Sequence, residues 1–182
     1  MRLPSICWLH RADCKPNEGI RKETAILRQL NSLALNAYFF GVSFMWNAIH
    51  PLLLPAILLA FSEQAKNTLY GALTFLGLVV AMLVQPLSGA LSDQTDHPWG
   101  KRTPWILIGT ATSIVWLACM VSANRYWQVG ASYILLQFSS NIAHGPAQAL
   151  IPYLLPQSQH GAASGQKSLL EMLGIIAAAL II

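Results

Sequence analysis

The stretch GALSDQTDHPWGKRTPW, residues 89–105, decides how the rest of this sequence is interpreted. An aspartate, Asp93, stands where one apolar run ends, and a basic pair, Lys101 and Arg102, stands just before Pro104 opens the next apolar run. A carboxylate at the C-terminal end of a helix is disfavoured by the helix dipole. We therefore expect Lys101 or Arg102 to stabilise Asp93. Spacing alone leaves open the alternative of an ordinary loop with solvated charges.

The segments on either side of this loop are long and apolar enough to cross a membrane. We predict spans over residues 33–61, 69–91, 104–124, 127–151 and 163–182, the fourth more polar than the others. Each has the roughly 20 residues that a helix needs to span a hydrocarbon core. The 182 residues are 54% hydrophobic and only 10% charged, whereas soluble domains carry about a quarter charged residues. The sequence therefore predicts an all-α membrane protein with about five transmembrane helices, incomplete at its C-terminus.

Basic residues predict the orientation of these spans. Eight lie before the first span or in the loop after the second, at Arg2, Arg11, Lys15, Arg21, Lys22, Arg28, Lys101 and Arg102, and the other connections hold Lys66 and Arg125. Because cytoplasmic segments near membrane spans are enriched in lysine and arginine, residues 1–30 are predicted to form a cytoplasmic tail. We expect a multi-pass protein of the plasma (inner) membrane in contact with lipid. The net charge of +4 then reflects topology, and no nucleic-acid partner is predicted.

The same tail contains the one group of residues that invites a metal interpretation. Cys7, His10 and Cys14 are three candidate ligands, but they lack the second pair that structural zinc sites show. We predict no metal and no cofactor.

Polar residues recur on one face of two predicted spans. In the first span they are Asn36, Ser43, Asn47 and His50, and in the fourth they are Gln137, Asn141, His144 and Gln148. Such stripes form hydrogen bonds between packed helices, at on the order of 0.6 kcal/mol per contact, or line a water-filled solute path. The stripe as a whole favours a path. Pro51 and Pro55 additionally predict a kink in the first span.

Glu171 is the one acidic residue inside a predicted span. An intramembrane carboxylate is a candidate for ion coupling. Its alternative role is a surface pair with Lys167 four residues earlier.

The loop motif resembles a known family signature. Gly89-x-Leu91-Ser92-Asp93 followed by Gly100-Lys101-Arg102 is similar to the loop between helices two and three of the major facilitator superfamily. With Trp99 and Pro104-Trp105 it resembles the glycoside and sucrose transporter-like branch, and residues 145–174 resemble the passage from helix four to helix five.

The resemblance implies the N-terminal half of a twelve-helix secondary transporter that moves solute by alternating access between two halves. It implies a sugar or glycoside as the solute, a cation as the co-transported ion, and a second half that is missing from this chain. It also implies that Gly89, Asp93, Gly100, Lys101 and Arg102 form a conformational latch.

Two other functions stay open at this point. The chain could be a non-transporting fragment, or a half-transporter that needs a partner half. It could also be a membrane prenyl- or lipid-transferase in which Asp93 and Asp96 hold Mg²⁺ through phosphates. Such an enzyme needs a second acidic cluster, which the sequence lacks. We therefore predict that the protein is not an enzyme.

Overall fold

The computed structural model describes residues 36–61, 66–98, 100–154 and 160–181. These residues form five helices: α1 (Asn36–Phe61), α2 (Lys66–Asp93), α3 (Thr103–Val121), α4 (Tyr126–Leu154) and α5 (His160–Ile181). The described parts of the chain contain no strand, which confirms the all-α prediction. α1, α2, α3 and α5 are long and apolar enough to cross a membrane.

Helix α4 is the most polar of the predicted spans, and several of its polar side chains are buried in the bundle. It is 29 residues long, about 43 Å at 1.5 Å per residue, which is ample for a bilayer. Its polar side chains are buried inside the bundle, at Ser132, Gln137, Ser139, Ser140 and Asn141. Hydrogen bonds also join α4 to its neighbours: Ser139 meets Ser113 of α3 with 3.3 Å between hydroxyl oxygens, and Ser88 of α2 donates to the Asn141 backbone carbonyl at 3.1 Å.

Close backbone approaches hold the bundle together. A methyl group added at Gly109 of α3 would lie 2.7 Å from both the Ala143 nitrogen and the Ser139 carbonyl oxygen of α4. One added at Gly174 of α5 would lie 2.7 Å from the Phe40 carbonyl oxygen of α1. Small residues at such points give dense packing between helices that lipid does not drive together.

The kink predicted in α1 takes the form of a π-helical turn over Ile49–Leu53. Pro51 and Pro55 lack the N–H groups that would bond the carbonyls four residues earlier. The Leu54 N–H instead bonds the Ile49 carbonyl, five residues back, as in a π-helix. The buried apolar cluster lies beside this turn and joins α1, α3 and α4 through Ile49, Leu54, Leu58, Met120, Val129, Tyr133 and Leu136.

Helix α3 ends at Val121, three residues before the predicted boundary at residue 124. The Ser122 hydroxyl bonds the Ala118 carbonyl at 2.9 Å. The Gln128 side chain accepts from the Asn124 and Arg125 backbone N–H groups at 3.0 and 3.1 Å. Polar residues therefore satisfy the backbone across the turn and start α4 at Tyr126.

Large apolar side chains cover the outside of the bundle. Examples are Phe75 and Met82 on α2 and Leu180 on α5, which are 65%, 73% and 81% exposed. Apolar side chains exposed to this extent are expected where the surrounding medium is lipid.

Candidate functional site

The two polar stripes meet in one cavity of about 430 Å³ between α1, α4, α2 and α5. From the predicted path it collects Asn47, His50, Gln137, Asn141, His144 and Gln148, and it also includes Glu171. Asn36 is half-buried at the start of α1 and is not part of this lining. The lining also contains Ser43, Trp46, Gln85 and Ser140. Nearly all of these side chains are uncharged hydrogen-bonding groups.

Some of these lining residues were absent from the predicted path. Trp46 and Ser140 lie on the same faces as the polar stripes, and the Trp46 indole N–H donates to the Ser140 hydroxyl at 3.3 Å. Gln85 is the single amide in an otherwise apolar stretch of α2. A lone amide in a predicted span was a usable signal, since such groups avoid lipid.

His50 is held at one end of the cavity by aromatic neighbours. Its Nε2 lies 3.0 Å from the Tyr133 hydroxyl oxygen. The Trp46 ring lies almost parallel to the imidazole, with centroids 5.1 Å apart and an interplanar angle of 30°. Tyr133 is fully buried. The structure thus fixes the position of the imidazole by a hydrogen bond and by ring packing.

His144 is held by Gln148 one turn later on α4. Their Nε2 atoms are 2.7 Å apart, so one side chain donates and the other accepts. The other His144 nitrogen, Nδ1, is buried without a hydrogen-bond partner among the described residues. The Phe39 ring packs edge-on against His144 at 5.9 Å.

Glu171 lies in an ion pair and on the cavity wall at the same time. Its carboxylate lies 3.6 Å from the Lys167 ammonium, four residues earlier on α5, and it also lines the cavity. The Lys167 ammonium lies 4.4 Å above the Phe39 ring centre, a cation–π geometry. Both charged side chains are mostly buried, at 20% and 31% exposed. Among the described residues of the cavity wall, the one carboxylate is therefore paired with a cation in this conformation.

The loop between α2 and α3 forms a compact charged cluster. Arg102 donates to the Asp93 carboxylate through Nη2 at 2.6 Å and through Nε at 3.0 Å. Its Nη1 donates to the Ala149 carbonyl of α4. Lys101 pairs with Asp96 at 3.4 Å and approaches the Asp93 carbonyl. Of the two basic residues, Arg102 is the one that binds the Asp93 side chain.

Two glycines of the motif have different roles in this loop. Gly100 has φ +98°, a conformation that favours glycine, and it turns the chain so that Arg102 returns to α2. Gly89 has open space where a side chain would be. The tight contact between α2 and α4 is made instead by Gly145 of α4, which faces the Gln85 carbonyl and the Ser88 hydroxyl of α2.

Both loop aspartates are paired with a basic residue of the same loop, Asp93 with Arg102 and Asp96 with Lys101. Within the described ranges, no group of three His, Cys, Asp or Glu side chains could hold an ion. Cys7, His10 and Cys14 lie outside the residues that the structure describes.

Comparison with known proteins gives the family. The family model described as "MFS/sugar transport protein" matches residues 39–182, which covers α1 to α5 and the loop motif. This chain belongs to the MFS/sugar transport protein family. The resemblance to the sucrose transporter-like branch is thereby confirmed.

Individual relatives of this MFS chain carry transporter names. It is 29% identical over 163 residues to "Sucrose transport protein SUT1" of Oryza sativa subsp. japonica, covering 76% of the chain and 29% of the relative. It is 25% identical over 178 residues to "Sucrose transport protein SUC3" of Arabidopsis thaliana, covering 85% and 29%. It is 25% identical over 138 residues to "Proton-associated sugar transporter A" of Homo sapiens, covering 67% and 18%. The chain thus spans less than a third of the length of these relatives.

Proposed function

We propose that this chain forms the solute-binding wall of a secondary sugar transporter. The observation that carries the proposal is the 430 Å³ cavity, in a member of a sugar transport family, lined by amides, hydroxyls and imidazoles. Pockets for small molecules commonly measure about 300 to 1,000 Å³. Neutral donors and acceptors suit a polyhydroxylated solute, because a hydroxyl both donates and accepts hydrogen bonds. Asn47, His50, Gln137, Asn141, His144 and Gln148 are the proposed contacts.

Movement of the solute is proposed to follow alternating access. In such transporters two helical halves rock around a site near the membrane midplane. A second half would face the cavity from the side opposite α1 and α4, as a partner that completes the solute path. The coverage of less than a third of the sucrose transport relatives is compatible with this arrangement.

Cation symport is the proposed energy source, with Glu171 as the coupling group. Glu171 supports this role because it is a carboxylate that lines the cavity wall. The printed name of one relative, a proton-associated sugar transporter, also favours a proton as the cation. The proposed site of action is the plasma (inner) membrane, with the N-terminus in the cytoplasm, on the asymmetry of basic residues.

Sugar binding to the purified chain in lipid nanodiscs tests the proposal directly. We expect saturable binding of radiolabelled sucrose or of another member of a sugar panel. Gln148→Ala should weaken it about fivefold or more through the loss of a hydrogen bond and of the contact to His144. Gln166→Ala changes an exposed amide on α5 outside the cavity lining and should leave binding unchanged.

Liposomes containing the same protein separate the two forms of the proposal. Binding with gradient-driven uptake identifies a transporter that works alone. Binding without uptake identifies a half-transporter that needs a partner. Absence of binding across the panel, in protein that is folded and monodisperse, would refute the assignment of the cavity as a sugar site.

A further inference from the structure

Tyr133, which the polar stripe did not include, lies beside amide groups whose donor and acceptor atoms can be assigned. The assignment starts at Asn141, whose Nδ2 lies 2.7 Å from the Gln137 backbone carbonyl oxygen. A carbonyl oxygen only accepts, so this atom of the Asn141 amide is the donating nitrogen. The same nitrogen lies 3.4 Å from the Gln137 side-chain oxygen Oε1. The Gln137 oxygen is therefore the acceptor in this pair.

The assignment continues from Gln137 to Tyr133. Gln137 Nε2 and the Tyr133 hydroxyl oxygen both face Gly77 of α2, 2.8 and 2.9 Å from the point that a methyl group there would occupy. Because the Gln137 oxygen faces Asn141, its NH₂ group is the part on the side of the phenol. An NH₂ group only donates, so the Tyr133 hydroxyl proton must find its acceptor elsewhere.

Among the described residues, the proton of the Tyr133 hydroxyl has one acceptor at hydrogen-bond distance. Tyr133 is 0% exposed, and a buried hydroxyl that donates to nothing is destabilising. His50 Nε2 lies 3.0 Å away. Donation from the hydroxyl to Nε2 requires that this nitrogen carry no proton, so the proton of the neutral imidazole is on Nδ1.

The second imidazole nitrogen is available to the cavity. Nδ1 of His50 makes no hydrogen bond to a described residue. Unlike Nδ1 of His144, it is not among the buried atoms that lack a partner. His50 lines the cavity. We infer that Tyr133 is a positioning residue that fixes His50 in the Nδ1–H tautomer, and that His50 serves as a fixed hydrogen-bond donor to an oxygen of the solute.

This inference rests on the proposed function for its ligand and adds a specificity rule to it. A donating His50 needs only a lone pair on the solute, which a sugar hydroxyl, ring oxygen or glycosidic oxygen supplies. It does not need the hydroxyl proton. The role differs from that of a proton carrier, because the relay holds one neutral tautomer in place.

Nitrogen NMR on the sugar-free chain tests the tautomer independently of transport. The protein is labelled with ¹⁵N-histidine and placed in lipid bilayers, and the His50 signals are assigned by their loss in His50→Gln. We expect a protonated Nδ1 and an unprotonated Nε2 in the native chain. Tyr133→Phe keeps the ring and removes the hydroxyl, so it should shift the population toward Nε2–H. Tyr126→Phe, an exposed tyrosine on the same helix, should change nothing.

A native His50 that carries its proton on Nε2, with no response to Tyr133→Phe, would overturn the inference. If Tyr133→Phe does not fold, Gln137→Met interrupts the relay one step earlier and should produce a shift in the same direction. No shift in that variant counts against the relay as well.

Sugar analogues test the specificity rule. Sucrose and its monodeoxyfluoro and monodeoxy derivatives are bound to the native chain and to Tyr133→Phe. Fluorine accepts weakly and cannot donate, so at the contacted position the fluoro analogue should bind better than the deoxy analogue. Tyr133→Phe should weaken sucrose binding about tenfold and remove that difference. Equal binding of both analogues at every hydroxyl position, together with unweakened binding of sucrose by Tyr133→Phe, would refute the donor role. Failure of sucrose to bind at all would instead refute the proposed function, and the NMR result would still decide the relay.

Discussion

Arg102 donates two hydrogen bonds to a single oxygen of Asp93, from Nη2 at 2.6 Å and from Nε at 3.0 Å. The third contact of this guanidinium is the Ala149 carbonyl. One side chain therefore joins the end of α2, the start of α3 and the later part of α4. Arg102 is 13% exposed and Asp93 is 58% exposed, so the arginine side of the pair is the more protected from water.

Replacing Asp93 with asparagine tests whether this cluster acts as a conformational latch. Asp93→Asn keeps the shape and removes the charge that Arg102 binds. We expect cells that produce Asp93→Asn to take up sugar more slowly than cells that produce the native transporter, because the change acts on the balance between conformations. Membrane insertion and expression of the variant should be near normal. Asp96→Asn is the matched control, since Asp96 is 90% exposed. Equal uptake by all three proteins at equal expression would remove the latch from this account.

Exchanging Arg102 for lysine tests the geometry of the same cluster. A lysine ammonium is a compact charge without the planar fork that reaches two acceptors at once. Arg102→Lys should retain the charge, lose the bond to α4, and lower the melting temperature in detergent by about 2 to 4 °C. Lys101→Arg alters an exposed pair and should leave the melting temperature unchanged. Equal melting temperatures for the native protein and both variants would contradict this prediction.

Cysteine accessibility tests whether the shared cavity is filled with water. In a background without native cysteines, Asn47→Cys, His50→Cys, Asn141→Cys and His144→Cys should react with a charged, water-soluble thiol reagent in membranes. Met82→Cys places the thiol on the lipid-facing side, where Met82 is 73% exposed to the surrounding medium, and should stay protected. Protection of all four cavity positions would identify dry helix packing.

The Lys167–Glu171 pair predicts unequal effects for its two neutralising substitutions. Lys167→Met leaves a mostly buried carboxylate without its cation, and breaking one side of a buried pair costs more than the pair itself contributes. It should reduce folded yield more than Glu171→Gln does, because in that variant the Lys167 ammonium keeps its contact with the Phe39 ring. If Glu171 couples transport to a cation, Glu171→Gln should abolish accumulation against a gradient and retain sugar exchange. Retained accumulation would exclude Glu171 as the coupling group.

Orientation in the membrane is tested by labelling from outside. The proposed cytoplasmic N-terminus predicts that Cys7 does not react with an impermeant reagent in intact cells and does react after permeabilisation. Reaction of Cys7 in sealed cells would invert the proposed topology.

Helical periodicity was sufficient to predict the main cavity residues. Spacings of three, four and seven residues place side chains on one face, so Asn141, His144 and Gln148 could be grouped without coordinates. The choice between Lys101 and Arg102 as the partner of Asp93 could not be predicted. It depends on the turn at Gly100 and on the position of the Ala149 carbonyl, and both are consequences of how three helices pack.

Tyr133 shows a second reason why part of the site was missed. A tyrosine in an apolar span counts as hydrophobic in a pattern of polar residues, and its ring does lie in the apolar cluster. Its hydroxyl nevertheless binds His50. Side chains that are apolar along their length and polar at the tip belong to both environments at once. Only the positions of both helices reveal which environment the tip reaches.

The π-turn in α1 divides that helix into two segments with different rotational phase. Ile49 and Leu54 are five positions apart, about 140° from each other on a regular α-helix, yet both are buried, at 1% and 0% exposed. Deletion of one residue within Ile49–Leu53 would restore regular winding and leave Ile49 and Leu54 four positions apart, about 40° from each other on an α-helix. Leu54 and Leu58 would then stay in the apolar cluster, and Asn47 would keep its place on the cavity wall. A relative that lacks this turn should therefore align with the chain only through a one-residue gap here, and the segments on either side could diverge in register independently.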